Sequence, residues 1–428
     1  MLAANSLLNP RKFLPLFAIL FLNASSDHIL RNATIVMLAY QGVCWAGMSS
    51  IVAVNIFTLV FILPFFLFSS YAGKLADATN KVTLIKRIKY YELLIVVVAG
   101  IGFYYRSPWL MLLALFSMGI HSTFFGPIKY SILPEYLTVR KQLLLANGYV
   151  ELGTFIATLA GQMLGSWYMA KHAPAVVLAL MAGSALVGLS LSYRLADNRA
   201  ETSAAKPLTW NFPQDICQTY REVITSVAIR NNLHAISWFW ALGIIYTTQL
   251  PMFILKYMGG SAAVFSFLLA VFSIAIGIGS LVCAKLSNGQ INKAYVVVGA
   301  SAISIFSLAL ILLNHQPKTT TVELMAFSQT ATGFMNFGLI FLVGFFSGFY
   351  SVTCYNELQL IVAPGSLSRV IAVNNILNAA YMVVAALVCT LLLLIMDLRS
   401  LFMIFIVANS LFVIWYWRSS LSRSILVA

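Results

Sequence analysis

Long apolar runs, broken by short polar turns, fill the chain. Each is close to the roughly 20 residues a helix needs to cross the hydrocarbon core of a bilayer. Read by their apolar content, they predict about twelve transmembrane helices near 13–40, 47–71, 87–105, 109–133, 143–170, 174–195, 232–257, 262–286, 293–313, 332–358, 368–395 and 399–418. The stretch 196–230 breaks the rhythm with Asp197, Arg199, Glu201, Lys206 and Pro207, then a mildly amphipathic segment ending at Arg230. It predicts a polar linker, partly on the membrane surface, between a six-helix bundle over 1–195 and another over 231–428. The expected fold class is therefore an all-α membrane protein of two six-helix halves.

Composition supports the bilayer as solvent. The chain has 428 residues, 61% hydrophobic and 9% charged, whereas a soluble domain carries about 25% charged residues. The net charge of +14 would suggest nucleic acid in a soluble protein. Here the basic residues sit in short loops, where they orient helices. With the N-terminus cytoplasmic, most of them fall on the cytoplasmic side, Lys74, Lys81, Lys86, Arg87, Lys89, Arg140, Lys141 and Arg369 among them. Only Arg106, Lys171, Lys256, Lys318 and Arg399 fall on the other, so both termini are expected inside. The run after Arg11 and Lys12 is too long for the apolar core of a signal peptide. Cys44, Cys217, Cys283, Cys354 and Cys389 are scattered, with no metal-ligand or disulfide spacing.

The two halves echo one another. Gly73-Lys-Leu-Ala-Asp77-Ala-Thr-Asn-Lys81 follows the second span, and Ala284-Lys-Leu-Ser-Asn-Gly-Gln-Ile-Asn-Lys293 follows the eighth. Lys141 stands six residues before Asn147, as Arg369 does before Asn375. A parallel repeat of this kind, joined by a polar linker, is an arrangement of secondary transporters. In the loop, Gly73 is expected to let the chain turn tightly. Asp77 is placed to sit at a helix N-terminus of the other half, where dipole and free N–H groups favour a carboxylate. Lys81, Lys86 and Arg87 are expected at anionic headgroups. Gly73, Asp77, Arg140 and Arg369 are thus the candidate conformational latch.

The Gly73–Asp77 loop resembles the signature of the major facilitator superfamily. Phe124-Phe-Gly-Pro-Ile-Lys129-Tyr-Ser-Ile-Leu-Pro-Glu135, Ala146-Asn-Gly-Tyr-Val-Glu151-Leu-Gly-Thr154 and Arg369-Val-Ile-Ala-Val-Asn-Asn-Ile-Leu-Asn378 resemble its lysophospholipid transporter branch, with weaker support from Phe13-Leu-Pro-Leu-Phe17 and Trp238-Phe-Trp240. The resemblance covers nearly the whole chain. It implies a flippase that moves lysophospholipids, such as lysophosphatidylethanolamine, from the outer to the inner leaflet of the bacterial inner membrane by alternating access. It further implies a functional partnership with a lysophospholipid acyltransferase and acyl-carrier-protein synthetase. Because the chain ends shortly after the twelfth span, a stand-alone transporter is expected, and a monomer is expected besides.

Ionisable residues inside a membrane are costly, so each is a functional candidate. Asp27 falls midway along the first span, with Arg31 one turn on along the same face. Two readings are open for them: a self-neutralising pair that orders the bundle, or a charge pair lining the cavity. In the second, Asp27 meets a headgroup ammonium, and Arg31 or Lys129 the phosphate. Lys129, beside Tyr130, either snorkels to the interface or stands at the inner end of the cavity. Asn147 and Glu151 share a face of the fifth span; Glu151 either pairs with Lys129 or Arg140, or carries a proton. The candidate substrate-binding set is Asp27, Arg31, Lys129, Tyr130, Asn147 and Glu151. The candidate proton carriers are Asp27, His28 and Glu151. Asn374, Asn375 and Asn378 are expected to bond between helices or to touch substrate, and Glu357 to pair with Arg369.

No Gly-rich phosphate loop, metalloprotease helix or nucleophile elbow occurs. The expectation is a transporter rather than an enzyme, without cofactor, metal or nucleic-acid partner. The alternative within transport is a proton-coupled carrier of a drug, siderophore or other small polar solute.

Overall fold

A chain in hydrocarbon can satisfy its backbone N–H and C=O groups only from within, so apolar runs of this length become helices. The computed structural model describes residues 12–40, 50–197, 212–224 and 226–421. Its first six long helices are α1 (Phe13–Tyr40), α2 (Ser50–Ala78), α3 (Lys81–Tyr104), α4 (Pro108–Ser131), α5 (Arg140–Ala170) and α6 (Pro174–Ser192). The second six are α7 (Val227–Phe253), α8 (Ala262–Ser287), α9 (Ala294–Leu313), α10 (Ala331–Ile361), α11 (Leu367–Leu392) and α12 (Leu398–Tyr416). A shorter helix, Phe212–Val223, precedes α7. Arg11, Cys44, Arg199, Lys206 and Arg423 lie outside the described residues, as does 198–211 of the expected linker.

Eleven of the helices are long and apolar enough to cross a bilayer. The other, α3, carries Lys81, Lys86, Arg87, Lys89 and Glu92 in its first half. These charges explain why the third span was expected to start only near 87 and why Lys89 was counted with the loops. Asn80 starts α3 instead: its Oδ1 accepts from Val82 N at 2.9 Å and Thr83 N at 3.1 Å, an N-cap. Pro108 and Pro174 open α4 and α6, where the missing N–H costs nothing.

The helix α2 runs on through Ala78, past the expected end near 71. Gly73 is therefore not a turn residue. It lies within the last turns of α2 and permits close approach: a Cβ there would stand 2.6 Å from Ala372 Cβ and 3.0 Å from Arg369 Cα. The repeat is asymmetric here. α8 stops at Ser287, and Asn288 and Gly289 take left-handed conformations at φ 45° and 86°, a usual helix stop.

By their internal contacts the described residues form two units. One comprises 1–146, 156–225 and 362–376; the other comprises 147–155, 226–361 and 377–428. Within the first, α4 packs on α2 and α3, and α6 on α1 and α3. Within the second, α10 packs on α8 and α9, and α12 on α9. Each has an apolar core, around Leu30, Ala99, Met111 and Met181 in the first and Ile254, Leu268 and Leu401 in the second. The outward faces are apolar too: Leu94, Val97, Leu186, Ile305 and Leu411 are all more than half exposed, as suits a surface facing lipid tails. Tyr104, Tyr105, Trp109 and Trp167 are exposed near α3–α4 and α5–α6 turns, where aromatic rings suit the headgroup level.

Candidate functional site

The polar face of α1 is the first element of the site. Asn23, Asp27 and Arg31 recur every four residues, so they share one side of the helix. Asp27 does not simply neutralise Arg31. Ser122 Oγ of α4 donates to Asp27 Oδ2 at 2.5 Å, and His121 Nδ1 lies 3.9 Å from Asp27 Oδ1. Arg31 Nη2 lies 3.0 Å from His28 Nδ1. A guanidinium can only donate, so this nitrogen of His28 accepts, a bond that a protonated ring could not make. Arg31 also lies over the Phe61 ring, 5.9 Å from its centroid.

Behind Asp27 the charges continue inward. Lys89 and Glu92, on adjacent turns of α3, are fully buried and paired at 2.6 Å. Lys89 Nζ also donates to Asn23 Oδ1. His121 Nε2 stands 3.6 Å from Glu92 Oε2, and the ring stacks on Phe125. Gly188 of α6 makes room for the lysine: a Cβ there would meet Nζ at 2.8 Å and Cε at 2.9 Å. Gly165 of α5 allows similar closeness to α1, its Cβ position lying 2.5 Å from Ile29 O. With Gly161 it forms the small-xxx-small spacing by which membrane helices approach. Lys89, Glu92 and His121 did not enter the sequence-derived site. Their signal is present in the sequence, ionisable side chains inside or beside apolar runs, but the charge pattern places Lys89 with the cytoplasmic side.

The latch residues meet at the start of α11. Asp77 Oδ1 accepts from Ser368 N at 3.1 Å, and Oδ2 from Arg369 N and Nε, each at 3.2 Å. The carboxylate thus meets free N–H groups and the positive end of the helix dipole. Arg369 Nη1 reaches Glu222 of the helix Phe212–Val223 at 3.3 Å. Thr219 of the same helix bonds Ser70 of α2 at 2.9 Å. Arg140 is exposed at the start of α5 and takes no part in the hydrogen bonds around Asp77. Lys81 pairs with Glu135, and Lys86 lies over the Tyr193 ring.

Lys129, in the last turn of α4, lies 5.1 Å from the Tyr130 ring centroid. Asn147 and Glu151 belong to the second unit. Glu151 Oε2 accepts from Ser280 Oγ at 2.6 Å and Ser351 Oγ at 2.7 Å. Asn147 Nδ2 donates to Asn356 Oδ1 at 2.7 Å and to Gln359 Oε1. Glu357 pairs with Lys293 at 2.9 Å rather than with the expected Arg369. Lys81 at the start of α3 and Lys293 just before α9 thus each meet a glutamate, one just past the end of α4 and one near the end of α10. Asn378 accepts from Ser237 Oγ at 2.9 Å, an interhelical bond. Asn374 is buried with neither amide atom hydrogen-bonded among the described residues.

Among the described residues, twelve long helices with apolar outward faces and ionisable groups inside have the character of a polytopic membrane protein. The profile of the Major Facilitator Superfamily matches residues 16–340, and the chain belongs to that family. It is 28% identical over 343 residues to the lysophospholipid transporter LplT of Klebsiella pneumoniae (strain 342), covering 79% of this chain and 78% of that one. It is 24% identical over 364 residues to LplT of Serratia proteamaculans (strain 568), with 84% and 82% covered. Among solved structures, a bacterial homologue of the iron transporter ferroportin in its outward-facing state matches with TM-score 0.68 at 14% identity, covering 95% of this chain and 99% of that one. The human organic anion transporter MFSD10 (TETRAN) matches with TM-score 0.68 at 13% identity, covering 94% and 99%. At those identities the likeness concerns the fold. These relatives and solved structures are named as transporters.

Proposed function

We propose that this protein is a lysophospholipid transporter of the bacterial inner membrane. It moves lysophospholipids such as lysophosphatidylethanolamine from the outer to the inner leaflet by alternating access, with both termini cytoplasmic. The observation that carries the reading is the similarity, over 79% of the chain, to proteins named as lysophospholipid transporters. The charges of α1 and α4 support it chemically. Asp27, with one-fifth of its side chain exposed, offers a carboxylate to the ammonium, and Arg31 or Lys129 a cation to the phosphate. Tyr130 joins them in the first unit, and Asn147 and Glu151 are the polar groups proposed for the second.

The chain acts as a monomer and delivers its lipid to a lysophospholipid acyltransferase and acyl-carrier-protein synthetase. Gly73, Asp77 and Arg369 form the latch of one state of the cycle, with Glu222 as a further arm. The test is uptake of labelled lysophosphatidylethanolamine by spheroplasts making the protein. The intact protein is expected to accumulate lipid, and Asp27→Ala and Lys129→Ala to fail at matched expression. Absence of uptake for every lysolipid headgroup, in protein that is folded and inserted, would overturn the reading.

A further inference from the structure

Headgroup binding as proposed uses Asp27 and leaves unexplained the buried groups behind it. Lys89, Glu92 and His121 are 0%, 0% and 1% exposed. Burying so many ionisable groups is expensive and marks function more often than stability. Their arrangement is directional. Asp27 is the partly exposed end, His121 Nδ1 faces Asp27 Oδ1 at 3.9 Å, and Nε2 faces Glu92 Oε2 at 3.6 Å. A neutral imidazole carries one donor and one acceptor on opposite nitrogens, so it can take a proton on one side and give one up on the other. Asp27 Oδ1, Glu92 Oε1 and both ring nitrogens of His121 have no hydrogen-bond partner among the described residues. Buried polar atoms are rarely left so.

The charged surroundings of His121 are few. α1 presents Asp27, with His28 and Arg31 within the next turn, and α3 presents Lys89 and Glu92. α2 has ionisable residues only in its last turns, Tyr71, Lys74 and Asp77. α6 has none and presents Gly188 to Lys89. Glu135 and Arg369 lie near Ser131 and its partner Ser368, about 15 Å of helix beyond His121 at the helical rise.

We propose that a proton travels with each lysophospholipid on the line Asp27–His121–Glu92, making the protein a proton symporter. The inference rests on the transport reading above. An ammonium and a proton cannot occupy the Asp27 carboxylate together, and the line resolves that conflict. The Asp27 carboxyl gives its proton to His121 Nδ1 while Nε2–H passes to Glu92. Asp27 becomes the carboxylate, the ring returns to neutral with its tautomer reversed, and Glu92 becomes the acid. Charge balances in this step, Asp27 is free to hold the ammonium, and Glu92 completes the cycle by giving its proton to water on the cytoplasmic side and returning to the carboxylate. Neutral Glu92 then releases its ion pair with Lys89, whose remaining partner, Asn23, is on α1. Proton loading is thereby tied to the contacts between α1 and α3.

The test uses the purified full chain in liposomes with an entrapped pH dye. Adding lysophosphatidylethanolamine should acidify the lumen as lipid enters, and an outside-acid gradient should speed uptake several-fold. His121→Gln should lose both responses while still exchanging lipid between equilibrated leaflets. Lipid entry without proton movement, indifferent to the gradient, would overturn the symport. If no lysolipid moves at all, the transport reading fails, and infrared pH-difference spectra of the purified protein decide the proton line separately. The carboxyl band assigned by its loss in Asp27→Asn should titrate at a different pH in His121→Gln and in the charge-neutral Lys89→Met/Glu92→Gln pair. An unchanged titration in both would refute the line.

Discussion

Replacing Lys89 by methionine keeps most of the side-chain volume and removes the charge. The structure says what is left behind: Glu92, fully buried, and Asn23 Oδ1, with no ammonium to meet them. His121 is then the nearest remaining ionisable partner of Glu92, at 3.6 Å. Removing one member of a buried pair costs about 3–5 kcal/mol, because the other stays uncompensated in a low dielectric. The double change Lys89→Met/Glu92→Gln removes both charges, and replacing a whole buried pair is often neutral or stabilising. We therefore expect Lys89→Met to be strongly destabilised and the double variant to recover most of the loss. Thermal unfolding followed by tryptophan fluorescence in detergent measures both. A single variant as stable as the parent, or a double variant no better than the single, would refute the burial of this pair.

Other outcomes follow from the same geometry. Gly188→Ala should cost about 1–3 kcal/mol of stability, since the new methyl meets Lys89 Nζ at 2.8 Å; unfolding midpoints read it, and Gly183→Ala, where the position is open, serves as the control. Asp77→Asn keeps the shape but replaces one accepting oxygen by an NH2 that cannot accept from the N–H groups at the start of α11, so it should slow uptake while leaving expression intact. At the start of α12, Asp397 accepts from Ser400 N at 3.2 Å, and Asp397→Ala should cost about 1 kcal/mol. Its bonds to the Ser400 side chain hold this carboxyl below the usual aspartate range. That contribution is fully present above the unfolded value, about pH 4, and fades as pH falls through the folded one. A midpoint difference between parent and Asp397→Ala that does not shrink in acid would contradict it.

The fold was legible because a bilayer writes helices as uninterrupted apolar runs. The run 13–40 coincides with α1, and most other ends fall within a few residues of those expected. The failures are physical. Charges in the first half of α3 masked a helix whose Lys89 and Glu92 neutralise one another inside the bundle, and a hydropathy pattern cannot register such pairing. Glycine is equally at home in a turn and in a close helix contact, so Gly73 was read as the first and serves as the second. The setting of Asp77 at a helix N-terminus was readable, because the carboxylate and the N–H groups that receive it both have sequence signatures. The line through His121 was not, because it joins three helices whose facing sides no single run reveals. In the second half Lys293 took Glu357, leaving Arg369 to Asp77 and Glu222. Both choices depend on which ends of helices meet in space.

The transporter is proposed to carry its lysophospholipid through a charged site on α1. The most direct measurement is uptake of labelled lysophosphatidylethanolamine into liposomes holding the purified protein, beside Asp27→Ala at equal reconstitution. Uptake by the parent and its loss in Asp27→Ala is the predicted result. Equal uptake by both would remove Asp27 from the site, and no uptake of any lysolipid by the folded parent would contradict the assignment of the substrate.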